Sequence, residues 1–113
     1  MVIYSEANNL VVHALPTAKG DGTTVDGHTY EIIASESVQV LTFQCGTVPD
    51  VGTNGATNEA ILAIVKHRIG VLNARFPCRE NSLAITKIEE AIHWLEARTR
   101  ARIARGVEGK EVP

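Results

Sequence analysis

The sequence predicts an α+β fold: a small N-terminal antiparallel β-sheet followed by a C-terminal antiparallel two-helix hairpin with a long second helix. Three observations predict it. The first 45 or so residues contain short β-branched and apolar runs separated by turn formers. After Thr57 the apolar positions switch to helical spacing. The gaps between the early runs are too short for parallel crossovers, which need about a dozen residues or more.

Met1–Tyr4, Leu10–Leu15, Tyr30–Ala34 and Val38–Gln44 are the predicted strands. Tyr30-Glu31-Ile32 and Val38-Gln39-Val40-Leu41-Thr42-Phe43 alternate in polarity, as half-buried strands do. Asn8-Asn9, Gly20-Asp21-Gly22, Asp26-Gly27 and Ser35-Glu36-Ser37 are the predicted turns. Residues 46–56, with three glycines, read as a loop. Thr57 is placed to cap a first helix running to Val71 or Leu72, with Ile61, Val65, Ile69 and Leu72 on one stripe. Pro77 opens a second helix. Ile85, Ile88, Ile92 and Leu95 form its core stripe, and Gly106 suits its C-terminal cap. That helix spans about 29 residues, roughly 43 Å at 1.5 Å per residue. The expectation is one domain over 1–113: a strand-rich part (1–45), a loop (46–56), a helical hairpin (57–105) and a tail (106–113).

Composition excludes several classes. The chain has 113 residues and net charge −2, with no apolar run near the ~20 residues of a membrane span. Its first residues, Met1-Val2-Ile3-Tyr4-Ser5-Glu6, lack the basic flank and apolar run of a secretory signal. Cys45 and Cys78 are too few for a disulfide scaffold and read as free thiols. The histidines at 13, 28, 67 and 93 form no close pair at metal-ligand spacing, so no metal site and no cofactor is expected. No nucleophile elbow, Walker loop or dinucleotide fingerprint is present, and no catalytic residue is assigned. A Cys78 nucleophile with His67 or His93 as base is the one enzymatic arrangement the residues leave open.

Charge is unevenly divided. Up to residue 55 the sole base is Lys19, against six acids, whereas residues 56–113 hold ten bases and seven acids. Arg98, Arg102 and Arg105 share an arc of about 60° on the second helix, beside Trp94, while Arg100 points elsewhere. No acid lies at i±3 or i±4 from Arg98 or Arg102. Two readings follow. These arginines bind an anion such as a phosphate, to which their planar donor forks are suited, or they cap carbonyls at the helix end. Capping accounts for Arg102 and Arg105 better than for Arg98, which lies further in. Asn81 falls on the apolar stripe, where a bare amide is costly. It either bonds the inter-helix loop or contacts a ligand at a subunit boundary. A helix this long also exceeds what one small sheet covers, which predicts a partner subunit.

Several ordered motifs now carry a resemblance: Asn54-Gly55-Ala56-Thr57-Asn58-Glu59, Phe76-Pro77-Cys78-Arg79-Glu80-Asn81, Leu83 through Ala91, Trp94-Leu95, Arg98-Thr99-Arg100 and Arg105 through Gly109. Together, over about half of the chain, they resemble the first-described class of phage Thoeris anti-defence proteins. That resemblance implies a sponge: a protein that captures cyclic ADP-ribose signals, typically glycocyclic ADP-ribose, without cleaving them. It is related in role to the anti-CBASS sponges for cyclic di- and trinucleotides.

The resemblance further implies homo-oligomers built from dimers, up to a hexamer as a trimer of dimers, with pockets between protomers and action in the host cytoplasm during infection. Arg98 and Arg102 match the arginine pair that holds ligand phosphates, and Asn81 matches an asparagine contacting ligand polar groups. Arg79 and Asn54 lie in matching motifs. Val71 stands where the family tends to place an aromatic, which implies that base stacking is lost or moves to Phe76 or Trp94. The alternatives are a hydrolase of the same signals and a nucleic-acid-binding hairpin. The acidic N-terminal half argues against the latter, because phosphate-backbone binding needs a broad basic surface.

Overall fold

A computed structural model describes residues 1–113, which form two compact units, residues 1–56 and 57–113. The architecture is the expected α+β one. In the first unit, β1 (Val2–Ser5), β2 (Val11–Ala18), β3 (Thr24–Ala34) and β4 (Ser37–Thr42) form an antiparallel meander in that order. Tyr4, Val12, Ile32 and Gln39 stand in one cross-strand row, and Val2, His13, Glu31 and Val40 in a row on the other face.

The β2–β3 hairpin is longer than its sequence suggests. Gly20-Asp21-Gly22 forms the tip, where the Thr23 amide and hydroxyl both donate to Asp21 and hold its carboxyl below the usual carboxylate range. Asp26-Gly27 is not a turn. It lies inside β3, where register shifts opposite Leu15–Thr17 and Gly27 takes φ 90°. Pro16, which has no N–H to give a ladder, sits opposite this bulge.

The segment predicted as loop is ordered by its own side chains. It holds one helical turn, α1 (Val48–Val51), and returns to the sheet through a parallel bridge between Phe43 and Ala56. The Gln44 amide donates to the Gly46 and Gly52 carbonyls at 3.2 and 2.8 Å, and its Oε1 accepts from the Asn54 N–H at 2.9 Å.

The second unit is the hairpin of α2 (Asn58–Arg75) and α3 (Arg79–Ala104). Thr57 caps α2 as expected, accepting from the Ala60 N–H at 3.1 Å. The helix continues three residues beyond Leu72, through Arg75, and stops because Phe76 precedes a proline and is barred from the helical region; it has φ −134°. Pro77 is not the first helical residue. Cys78 is extended and serves as N-cap, its Sγ accepting from the Asn81 N–H at 3.4 Å, so α3 begins at Arg79. Lys66 on α2 and Glu89 on α3 approach to 3.8 Å across the hairpin. At the far end, Gly106 takes φ 72°, its N–H donates to Ile103 O, and the Val107 N–H donates to Arg102 O, which together make a Schellman cap.

No apolar side chain of the chain is buried. The one buried side chain is Arg102.

Candidate functional site

The arginine end of the hairpin develops directly from the α3 periodicity. Arg98 is exposed and takes part in no ion pair or side-chain hydrogen bond. Trp94, one turn earlier, is 72% exposed and packs edge-on against His93, with ring centroids 5.6 Å apart. An unpaired guanidinium one turn from an exposed indole suits an anion attached to a planar ring system.

Arg102 is differently placed. It is 7% exposed. Its Nε donates to Glu108 Oε2 at 3.3 Å, its Nη1 to the Val112 carbonyl, and its Nη2 to the Val107 and Lys110 carbonyls at 2.9 and 2.8 Å. Arg105 Nη1 donates to the Pro113 carbonyl at 2.8 Å. Spacing along α3 suggested that both Arg98 and Arg102 lack counterions within the chain. That holds for Arg98 and fails for Arg102, because the Schellman cap turns the chain back and delivers Glu108, six residues on, to its side. No helical-neighbour rule looks that far.

The opposite end of the hairpin gathers Val71, Phe76, Arg79 and Asn81. Phe76 is 78% exposed and Val71 43%. Val71 lies in a shallow concavity of about 370 Å³ on α2 with Ile64, His67, Arg68, Leu72 and Arg75. Arg79 is exposed and unpaired. Asn81 is half-buried, and its side chain does not bond the inter-helix loop. That tie is made by Asn73, which the sequence reading missed: its Oδ1 accepts from the Cys78 N–H at 3.0 Å and its Nδ2 donates to Ser82 Oγ at 3.3 Å. An asparagine in the last turn of a helix before a proline was the signal that could have found it. The Asn81 amide is thereby left to other partners.

Asn54 belongs to the first unit, where its side chain copies a strand partner. Its Oδ1 accepts from the Cys45 N–H at 2.9 Å and its Nδ2 donates to the Cys45 carbonyl at 2.8 Å. Both thiols are free, Cys45 half-buried and Cys78 exposed. No three His, Cys, Asp or Glu side chains converge as a metal-binding group, and no helix is long and apolar enough to cross a membrane.

Within one chain the sequence-predicted residues other than Asn54 thus fall into two clusters on the hairpin. Asn81 and Arg98 lie 17 residues apart on one helix, an axial separation of about 26 Å. Arg98 and Arg102 are one turn apart.

Comparison with known proteins follows the hairpin. The family model of the Acb2/Tad1 hairpin domain matches residues 36–100, more than half of the chain. A curated protein, Thoeris anti-defense 1 of Bacillus phage SBSphiJ7, is 50% identical over 70 residues, which are 61% of this chain and 49% of that protein. The matched region therefore spans about half of that relative's length.

Proposed function

The chain belongs to the Acb2/Tad1 hairpin family, that of the phage Thoeris anti-defence proteins, and from that membership we propose that it is a non-catalytic sponge for cyclic ADP-ribose-type signals, glycocyclic ADP-ribose foremost. It acts in the cytoplasm of the infected host by withholding the signal, with a further capacity for cyclic di- and trinucleotides. The observation that carries this reading is Arg98: an exposed, unpaired guanidinium beside an exposed tryptophan, in a helix of the matched family.

Geometry adds a constraint on how such a ligand is held. About 26 Å along α3 separates Asn81 from Arg98, far more than one cyclic nucleotide can bridge. If both touch the same ligand, they belong to different copies of the chain. Two α3 helices paired antiparallel about a two-fold axis set Asn81 of one copy beside Arg98 of the other, and symmetry repeats the pocket. The homo-oligomer, a dimer or a hexamer of three dimers, is thus part of the binding mechanism. Arg98 and Arg102 hold the phosphates, Asn81 and Arg79 supply polar contacts, and Phe76 or Trp94 receives the base near Val71. Asn54, spent on Cys45, shapes its loop.

The test is incubation with glycocyclic ADP-ribose followed by denaturation and analysis of what is released. Intact ligand at about one equivalent per chain supports sequestration, whereas turnover of many equivalents establishes the alternative, a hydrolase. Arg98→Ala removes charge-assisted hydrogen bonds of about 1.5–3 kcal/mol each, so affinity falls by about 10- to 100-fold in calorimetry. The circular dichroism spectrum should not change, because the exposed Arg98 makes no ion pair or side-chain hydrogen bond within the chain. Unaltered affinity would remove the residue on which the proposal stands.

A further inference from the structure

We propose that residues 107–112 are an internal competitor for the ligand at Arg102, an inference that rests on the sponge reading. A guanidinium has five N–H donors. Four of those on Arg102 are spent, one on the Glu108 carboxylate and three on the Val107, Lys110 and Val112 carbonyls. A single N–H remains, and a bidentate grip on a phosphate needs two in parallel. In this conformation the segment presents one carboxylate and three carbonyl oxygens to the arginine, an oxygen-rich surround much like the one a pyrophosphate would provide.

The strap is built to come off. Its hold on the helix is concentrated in Arg102, with Arg105 gripping the Pro113 carbonyl beyond it. Glu108, Lys110, Glu111 and Val112 are all exposed. The Schellman cap that ends α3 uses the Val107 and Gly106 amides with the Arg102 and Ile103 carbonyls, so releasing the Arg102 side chain leaves the helix intact. Arg98, one turn earlier and free, takes the ligand first. A phosphate then exchanges with the strap oxygens at Arg102. Because only the released fraction binds fully, apparent affinity is reduced by that fraction. The strap therefore sets the signal concentration at which capture begins.

The experiment compares the wild type, Glu108→Gln and a chain lacking residues 108–113, which keeps the Val107 amide of the cap, each titrated with glycocyclic ADP-ribose by calorimetry. Hydrogen exchange at the Lys110 amide, which donates to Val107 O within the strap, is followed alongside. Glu108→Gln weakens one half-exposed ion pair and is expected to tighten binding about two- to fivefold, and deletion tightens it further. Saturating ligand speeds exchange at Lys110 in the wild type. If the wild type binds but both variants bind equally or more weakly, or Lys110 stays protected in the complex, the competitor is overturned and sequestration stands. If none of the three proteins binds although all are folded by circular dichroism, the sponge reading falls and the competitor with it. Should the deletion fail to fold, Glu108→Gln and the exchange measurement decide.

Discussion

Gly55 occupies a position where a single methyl group would be felt. A Cβ built on it would lie 2.5 Å from the Phe43 carbonyl carbon and 2.7 Å from the Phe43 and Thr42 oxygens, all backbone atoms that no rotamer change can move. The glycine lets residues 54–56 run against the end of the sheet, where the Ala56 N–H donates to Thr42 O and the Gln44 N–H to Ala56 O, both at 2.9 Å. Gly55→Ala is expected to destabilise the first unit by about 1–3 kcal/mol, the usual cost of overpacking, seen as a lower denaturant midpoint in chemical unfolding. Gly52→Ala meets open space but a backbone at φ 74°, ψ −174°, which is essentially reserved for glycine, so its cost is conformational, about 1–3 kcal/mol. At this scale sequence reading was least informative. It marked Arg98 and Arg102 by type and spacing and Asn54 through the matching motif, yet the partners of Asn54 and Arg102 are set by chain reversals. The fold spends Asn54 on Cys45 and buries Arg102, and it leaves Arg98 open.

Among the elements, the hairpin was the most legible, because helical periodicity, a threonine cap and a glycine stop are local signals that agree with one another. What shifted were the boundaries. α2 outlasts its apolar stripe until the proline geometry stops it, and α3 starts two residues late because Cys78 takes the capping role. The connection of three residues works because Asn73 reaches across it to both the Cys78 amide and the Ser82 hydroxyl. Asn73→Ala leaves the Cys78 N–H without its partner and is expected to cost about 1–2 kcal/mol. Thermal unfolding of the variant should show the lower midpoint, with helix content near the wild-type value at low temperature. A midpoint equal to the wild type would mean that Pro77 and the Cys78 cap suffice to close the turn. In the sheet, β3 was misjudged for a physical reason. Asp-Gly is a strong turn signal, but a glycine at positive φ also makes a bulge, and only pairing with β2 across seven residue pairs distinguishes the two.

For the molecule as a whole, the decisive fact is that no apolar side chain of the isolated chain is buried, while Val2, Ile3, Val38, Val40, Ile64, Trp94 and Ile103 are exposed. Apolar burial is the dominant favourable term in folding, so these uncovered faces support the proposed homo-oligomer, in which further copies of the chain would cover them. Trp94 is the one tryptophan and sits beside Arg98, which makes it a reporter for both assembly and capture. Its emission should lie near that of solvated indole in dilute protein and shift to the blue as concentration drives association. Ligand should produce a second change, which Arg98→Ala suppresses. A two-fold site repeats, so calorimetry should return one ligand per chain and native mass spectrometry two per dimer. One ligand per dimer would mean that both copies of Arg98 converge on a single molecule at the symmetry axis. That outcome would replace the Asn81–Arg98 pocket with one that excludes Asn81, because on the axis the helix places that residue about 26 Å away.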